Sequence, residues 1–353
     1  MKIAIIMGTR PEIIKMSPII ARTKKSDSVI IFSGQHYDYE MGMRFIEELR
    51  IRTPDYSLKL GKTDPASQIG EMIIKLSKIT QDEKFDAVLI QGDTNTVLAG
   101  AISSLKNHTH IGHVEAGIRS YDWRMPEEHN RIVADHVSDT LFAPTYNNKK
   151  NLLQEKVHGD IFVTGNTIID AVEKFAPISK TNIVTPDNFI LLTLHRAENV
   201  DDKNTLTRIM NGILDSKSNV LFPVHPRTQL RLRQFGLYEK LKRSQTVILT
   251  GPVSYLEMLD LMKRCLFVIT DSGGIQEETT SPKIRKKVLV LREKTDRPEA
   301  VNAGISKMVG TESNMIAKAI AETIKDPVIH TSKSPYGKGN ASEVIIKIMK
   351  ELF

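Results

Sequence analysis

A single cysteine, Cys265, is the whole thiol inventory of the 353 residues. One cysteine excludes an internal disulfide and any metal site built from several thiolates, and it fits a reducing compartment. Aromatic residues are thin at 6%, with one tryptophan. Lys and Arg exceed Asp and Glu by 49 to 42, a net charge of +7. The basic residues are nevertheless scattered and lack aromatic partners, which argues against nucleic-acid binding. An excess of this size suits a small polyanionic substrate equally well. No apolar run approaches membrane-spanning length, and the apolar start ending at Gly8 is broken by Arg10, too soon for a signal peptide. These absences predict no membrane insertion and a cytoplasmic location.

Several catalytic and cofactor fingerprints are missing too. No Gly-x-Gly-x-x-Gly follows an apolar run, which counts against bound NAD or FAD; Gly337-Lys-Gly-Asn-Ala-Ser342 imitates it but follows no strand. No Gly-x4-Gly-Lys-Ser/Thr occurs, so a P-loop is excluded. His113-x-Glu115 is half of a zinc deaminase motif, whose Pro-Cys-x-x-Cys partner needs a second cysteine. A Gly-x-Ser-x-Gly nucleophile elbow is absent. The expectation is an enzyme with no cofactor and no metal.

What is present alternates. Apolar runs at 3–7, 29–32, 87–91, 111–114, 141–143 and 161–163 are separated by helical patterns around 11–24, 38–50, 66–79, 95–107, 127–138, 146–156 and 167–175. A polar stretch at 176–187 interrupts the rhythm and reads as a linker. Further runs follow at 190–194, 220–223, 247–249, 266–270 and 288–291, with a last helix near 340–352. Strand-helix alternation of this kind predicts α/β architecture: two doubly wound, Rossmann-like domains, 1–176 and 177–339, facing a cleft.

Ligands of open parallel sheets lie beyond the carboxyl ends of the strands, so the residues there are the candidates. In Val268-Ile-Thr-Asp-Ser-Gly-Gly-Ile-Gln-Glu-Glu278 a β-branched run leads into a helix start. Free N–H groups and the helix dipole at Ser272, Gly273 and Gly274 would suit a pyrophosphate, and Glu277 or Glu278 could accept from vicinal hydroxyls. The structural alternative is a capped helix start. Asp93 and Glu115 end consecutive strands and Glu127 heads a helix, so the three could converge; crowded carboxylates can hold a proton donor and an acceptor together. Against this, Asp93 could cap the helix near Asn95, Glu115 could pair with Arg119, and Glu127 could serve a helix dipole. His195 with Arg196, and less clearly His225, suit an anion. Arg10 and Lys15, after the first strand, read as phosphate clamps or as solvated helix-start charges.

Ten motifs in unbroken order carry a resemblance: Gly8-Thr-Arg-Pro-Glu12 with Lys15, Gln35-His36, Gly92-Asp-Thr-Asn-Thr96, Gly112-His-Val-Glu-Ala-Gly-Ile-Arg119, Pro126-Glu-Glu128 with Asn130-Arg131, Val163-Thr-Gly-Asn-Thr167, His195-Arg196, Pro223-Val-His225, Thr270-Asp-Ser-Gly-Gly-Ile-Gln-Glu-Glu278 and Arg297-Pro-Glu299. From residue 2 to about residue 345 the chain resembles the non-hydrolysing UDP-N-acetylglucosamine 2-epimerases. The resemblance implies a glycosyltransferase-B type fold whose C-terminal helix, 340–353, returns to the first domain, and a homodimer. It implies interconversion of UDP-GlcNAc and UDP-ManNAc through 2-acetamidoglucal and UDP, without metal or nicotinamide. Asp93, Glu115 and Glu127 would be the acid/base groups, with Lys15 near the reacting centre. Arg10, His195, Ser272, Gly273 and Gly274 would hold the diphosphate, Glu278 the ribose and residues 255–259 the uracil. Gln35, His36, Arg196 and His225 match an activator site for a second substrate molecule. Tyr37 stands where many relatives have Arg, and 281–287 departs from their short Gly-Lys-Pro link. Other readings of the same residues are a glycosyltransferase needing an acceptor, an epimerase that hydrolyses its substrate, and a nucleotide-sugar-binding regulator.

Overall fold

The structure, a computed structural model, describes residues 1–35, 39–61, 64–330 and 333–353, with the backbone alone at residues 39–41 and 44. The chain divides into two compact units, Met1–Ala171 with Tyr336–Phe353, and Val172–Pro335. In the first unit β1 (Ile3–Met7), α1 (Arg10–Ala21), β2 (Ser28–Phe32), α2 (Tyr39–Glu48), β3 (Tyr56–Ser57), α3 (Pro65–Glu83) and β4 (Ala87–Gln91) alternate. α4 (Asn95–Lys106), β5 (His110–Val114), α5 (Pro126–Val137), β6 (Thr140–Ala143), α6 (Tyr146–Gln154), β7 (Asp160–Val163) and α7 (Thr167–Phe175) follow. The boundary between the units falls inside α7.

Beyond a 3-10 turn, the second unit continues with β8 (Ile190–Thr193), α8 (Ala197–Val200), α9 (Lys203–Asp215), β9 (Val220–Pro223), α10 (Pro226–Gln234), α11 (Leu237–Lys242) and β10 (Val247–Thr250). Then come α12 (Tyr255–Arg264), β11 (Val268–Thr270), α13 (Gly273–Glu278), β12 (Val288–Val290), α14 (Pro298–Asn302), β13 (Ser306–Met308) and α15 (Ser313–Lys325). The chain ends in the first unit with α16 (Ala341–Leu352).

Among the described residues, both sheets are parallel throughout, ordered β3-β2-β1-β4-β5-β6-β7 and β10-β9-β8-β11-β12-β13. Each reverses direction once, next to its first strand, as a Rossmann-type sheet does. The strands are apolar runs rather than alternations because helices cover both faces; every residue of β1 and β4 is buried. Each unit has its own apolar core, around Ile6, Met72 and Val88 in the first and Leu192, Phe222 and Ile269 in the second.

α16 is seated by a buried acid. Asp170 of α7 accepts from the backbone N–H of Ala341 (3.1 Å) and Ser342 (2.8 Å), satisfying first-turn donors of that helix. The motif Val163-Thr-Gly-Asn-Thr167 serves the same return: the Asn166 N–H donates to Tyr336 O at 2.8 Å, and Gly165, at φ +86, lies against that backbone. Residues 176–187 are tied down rather than a free linker. Ser179 and Thr181 are buried, and Lys263 Nζ of α12 donates to the carbonyls of Ala176 (2.9 Å) and Ser179 (3.3 Å). No helix among the described residues is long and apolar enough to cross a membrane.

Candidate active site

A parallel sheet opens a ligand crevice where its strand order reverses. In the first unit that point lies between β1 and β4, so the turn 8–9 and the turn 92–94 border it. Glu12, third in α1, accepts from the N–H of Gly8 and of Thr9 (2.8 Å) and from the Thr94 hydroxyl, tying the two turns together. Burial pushes Glu12 up to about 7 against these three donors, with Asp93 adding in the same direction.

Lys15, one turn further along α1, reaches the carboxylate of Glu115. Its Nζ lies 2.5 Å from Glu115 Oε2, and Gln91 Nε2 donates to the same oxygen at 2.5 Å. Both partners of this ion pair are buried. Glu115 has φ +72, a left-handed conformation that costs a non-glycine residue energy and is held by the surrounding structure. Its N–H donates to Phe142 O at 3.1 Å.

Asp93 is gripped from α5. Arg131 Nη2 pairs with its carboxylate, and Asn130 Nδ2 donates to its carbonyl at 2.9 Å. Arg131 also pairs with Glu128 (3.0 Å), whose buried carboxylate accepts from Ser120 and Tyr121 N–H and so shapes the loop before α5. Thr94, not Asp93, caps α4, by accepting from Val97 N–H at 3.4 Å. Arg119 pairs with Asp135 and Glu155, not with Glu115. Asp93 and Glu115 are therefore free of the two structural duties that the sequence left open. Glu127 is exposed in the first turn of α5 and forms no hydrogen bond or ion pair among the described residues. Arg10 is exposed, its guanidinium 5.9 Å from the centre of the Phe45 ring. Gln35 Oε1 is occupied by the Thr96 N–H and hydroxyl, both at 2.9 Å. His36 and Tyr37 lie outside the described residues.

In the second unit the reversal falls between β8 and β11. Asp271, fully buried at the end of β11, accepts from the backbone N–H of His195 (3.1 Å) and Arg196 (2.9 Å) and from Asn199 Nδ2 (3.1 Å). It also stands 3.3 Å from His195 Nδ1, which turns the other ring nitrogen away from it. Burial holds His195 below its ordinary value against the pull of Asp271, and Arg196 acts in the same direction as burial. The His195 and His225 ring centres are 5.9 Å apart. His225 is itself spoken for, its Nδ1 accepting from Arg227 N–H at 3.3 Å as the cap of α10.

Ser272, Gly273 and Gly274 follow directly. A methyl group added at Gly273 would meet Asp296 and Arg297 only at 3.5 Å and beyond, and one at Gly274 only the Ser272 hydroxyl at 3.9 Å. Neither packing nor a left-handed backbone demands glycine at either position. Of the two acids on α13, Glu277 is consumed by Arg297, Nε to Oε1 at 2.5 Å. Glu278 lies beside Tyr255, whose hydroxyl is pushed well above its ordinary value by burial and then by Glu278. The Arg297-Pro-Glu299 motif thus begins with a buried brace for α13.

The family profile described as UDP-N-acetylglucosamine 2-epimerase matches residues 19–350. The chain belongs to the UDP-N-acetylglucosamine 2-epimerase family. Its sequence is 43% identical to the UDP-N-acetylglucosamine 2-epimerase of Methanocaldococcus jannaschii, over 99% of each chain. A crystal structure of the Methanocaldococcus jannaschii UDP-GlcNAc 2-epimerase in complex with UDP-GlcNAc and UDP matches it with a TM-score of 0.87 at 42% identity, covering 99% of this chain and 100% of that one. A UDP-2,3-diacetamido-2,3-dideoxy-D-glucuronate 2-epimerase of Pseudomonas aeruginosa is 38% identical over the full length of both. As in other members of the epimerase family, the two Rossmann-like domains make a fold of the glycosyltransferase-B type.

Proposed function

We propose that the protein interconverts UDP-GlcNAc and UDP-ManNAc without hydrolysing either. The observation that carries this reading is the pair of carboxylates at the ends of β4 and β5, Asp93 held by Arg131 and Glu115 held by Lys15, in a chain of the epimerase family.

The C2 proton of the sugar is not next to a carbonyl, so its removal must be coupled to loss of the nucleotide. A carboxylate takes the proton, the C–H electrons form the C1=C2 bond of 2-acetamidoglucal, and the C1–O pair leaves with UDP. Return of a proton to the opposite face of C2, with addition of the UDP oxygen to C1, completes the inversion. Transfer at two faces calls for more than one acid, and Asp93, Glu115 and Glu127 are the assigned set. Lys15 stands beside Glu115. Arg10, His195, Ser272, Gly273 and Gly274 are assigned to the diphosphate, Glu278 to the ribose and residues 255–259 to the uracil. Stabilising the departing diphosphate lowers the barrier that proton removal alone would face.

Given UDP-GlcNAc alone, the protein should form UDP-ManNAc up to an equilibrium, with no accumulation of UDP. Asp93→Asn should lose about 10²- to 10⁴-fold in kcat while binding UDP within about twofold of the native protein. Stoichiometric release of UDP would indicate a hydrolysing enzyme instead, and dependence on an added acceptor a glycosyltransferase. The Pseudomonas aeruginosa relative makes UDP-2,3-diacetamido-2,3-dideoxy-glucuronate the competing substrate. A higher kcat/KM for that sugar would move the assignment to it.

A further inference from the structure

The motif Gly112-His-Val-Glu-Ala-Gly-Ile-Arg119 supplies Glu115 to the reaction above and leaves His113, Gly117 and Arg119 without a task. All three converge on one carboxylate, Asp135 of α5. His113 Nδ1 lies 2.7 Å from Asp135 Oδ1, Arg119 Nη2 lies 2.7 Å from Oδ2, and the Gly117 N–H donates to that second oxygen at 3.1 Å. The side chains of His113, Asp135 and Arg119 are fully buried. Arg119 continues the chain to Glu155, with Nε to Oε1 at 2.7 Å and Nη2 to Oε2 at 2.6 Å.

The remaining ring nitrogen, His113 Nε2, lies 2.8 Å from the carbonyl oxygen of Gly92, the residue before Asp93. A carbonyl can only accept. Asp135 can only accept as well while it is ionised; burial pushes it up, but His113 and Arg119 outweigh burial and hold it below the usual carboxylate range. A neutral imidazole has one N–H and would aim a lone pair at one of these oxygens, whereas the imidazolium donates to both. With that assignment the charges along His113, Asp135, Arg119 and Glu155 alternate and sum to zero, the arrangement in which buried ions compensate one another.

We propose that His113 is a positioning residue that acts as an imidazolium. It clamps the turn carrying Asp93 to Asp135, while Asp135, through Gly117 and Arg119, fixes the segment that follows Glu115. One buried carboxylate thereby sets the spacing of the two acids. The inference rests on the assignment of Asp93 and Glu115 to proton transfer, and His113 reaches the reaction only through Gly92 and its neighbour.

The test is a ring-15N and proton NMR spectrum of the full-length histidine-labelled protein at neutral pH. His113 should show two slowly exchanging ring protons, one on each nitrogen; one bare nitrogen would overturn the proposal. Kinetics of His113→Gln and Asp135→Asn form the second arm. The proposal expects kcat per folded molecule to fall about 10- to 100-fold with KM and UDP affinity little changed, as displaced catalytic groups produce. Unchanged kcat in the folded fraction would reduce the network to a stabilising role and overturn the positioning claim. If neither variant folds, the native spectrum still decides. Because that spectrum needs no substrate, its failure leaves the proposed reaction standing, and a native protein that converts no UDP-sugar would remove the reaction without touching the spectrum.

Discussion

Glu12 stands where an acid ordinarily favours a helix start, yet its carboxyl is buried and pushed up to about 7 from an ordinary 4.5. A folded-state value above the unfolded one means that the native protein holds the proton more tightly. The associated stability is complete below about 4.5 and declines as pH rises through about 7. Between pH 5 and 8 the native protein should therefore lose stability relative to Glu12→Gln, by on the order of 3 kcal/mol at most. Denaturant midpoints of the two proteins at both pH values check this, and a constant difference would show that burial does not dominate. The sequence made Asp93, Glu115 and Lys15 visible because each follows an apolar run. It did not reveal Arg131, with Glu128 behind it, as the support of Asp93. Glu128, Arg131 and Asp135 recur at intervals of three and four on the buried face of α5, but a polar inward face gives no apolar stripe from which to read the period.

At the level of elements, the turn between β8 and α8 is wrapped around Asp271, which accepts two backbone N–H groups and the Asn199 amide from a fully buried position. Whichever oxygen became an amide nitrogen in Asp271→Asn, a donor would face a donor. The substitution should destabilise the protein by about 1–3 kcal/mol, the cost of a buried unpaired polar group. Urea unfolding measures it, and an unchanged midpoint would show that the turn holds without the carboxylate. The turn was legible only as a polar strand end, since its organiser lies 76 residues away in sequence. The long strands were read from composition, and β1, β4 and β9 match the apolar runs residue for residue. The edge strands β3, Tyr56–Ser57, and β13, Ser306–Met308, left no trace. A two- or three-residue strand at a sheet edge needs no continuous apolar run, so composition cannot mark it.

Across the chain, two sheets that share one strand order through six strands, the first adding β7 at its edge, each place polar residues at the point of reversal. Alternation in the sequence was enough to predict that architecture because parallel strands must be buried on both faces. The return of α16 to the first unit was implied only by family resemblance; in the structure it depends on Asp170 and the backbone of Tyr336, contacts between segments far apart in sequence. The proposed activity is chemistry at C2 of the sugar. Incubation with UDP-GlcNAc in D2O, followed by NMR of the sugar ring, reports that chemistry in one spectrum. Deuterium should enter C2 of both UDP-GlcNAc and UDP-ManNAc, at a rate that falls with kcat in Asp93→Asn. Interconversion with protium retained at C2, or no interconversion by a protein that binds UDP, would overturn the proposed reaction.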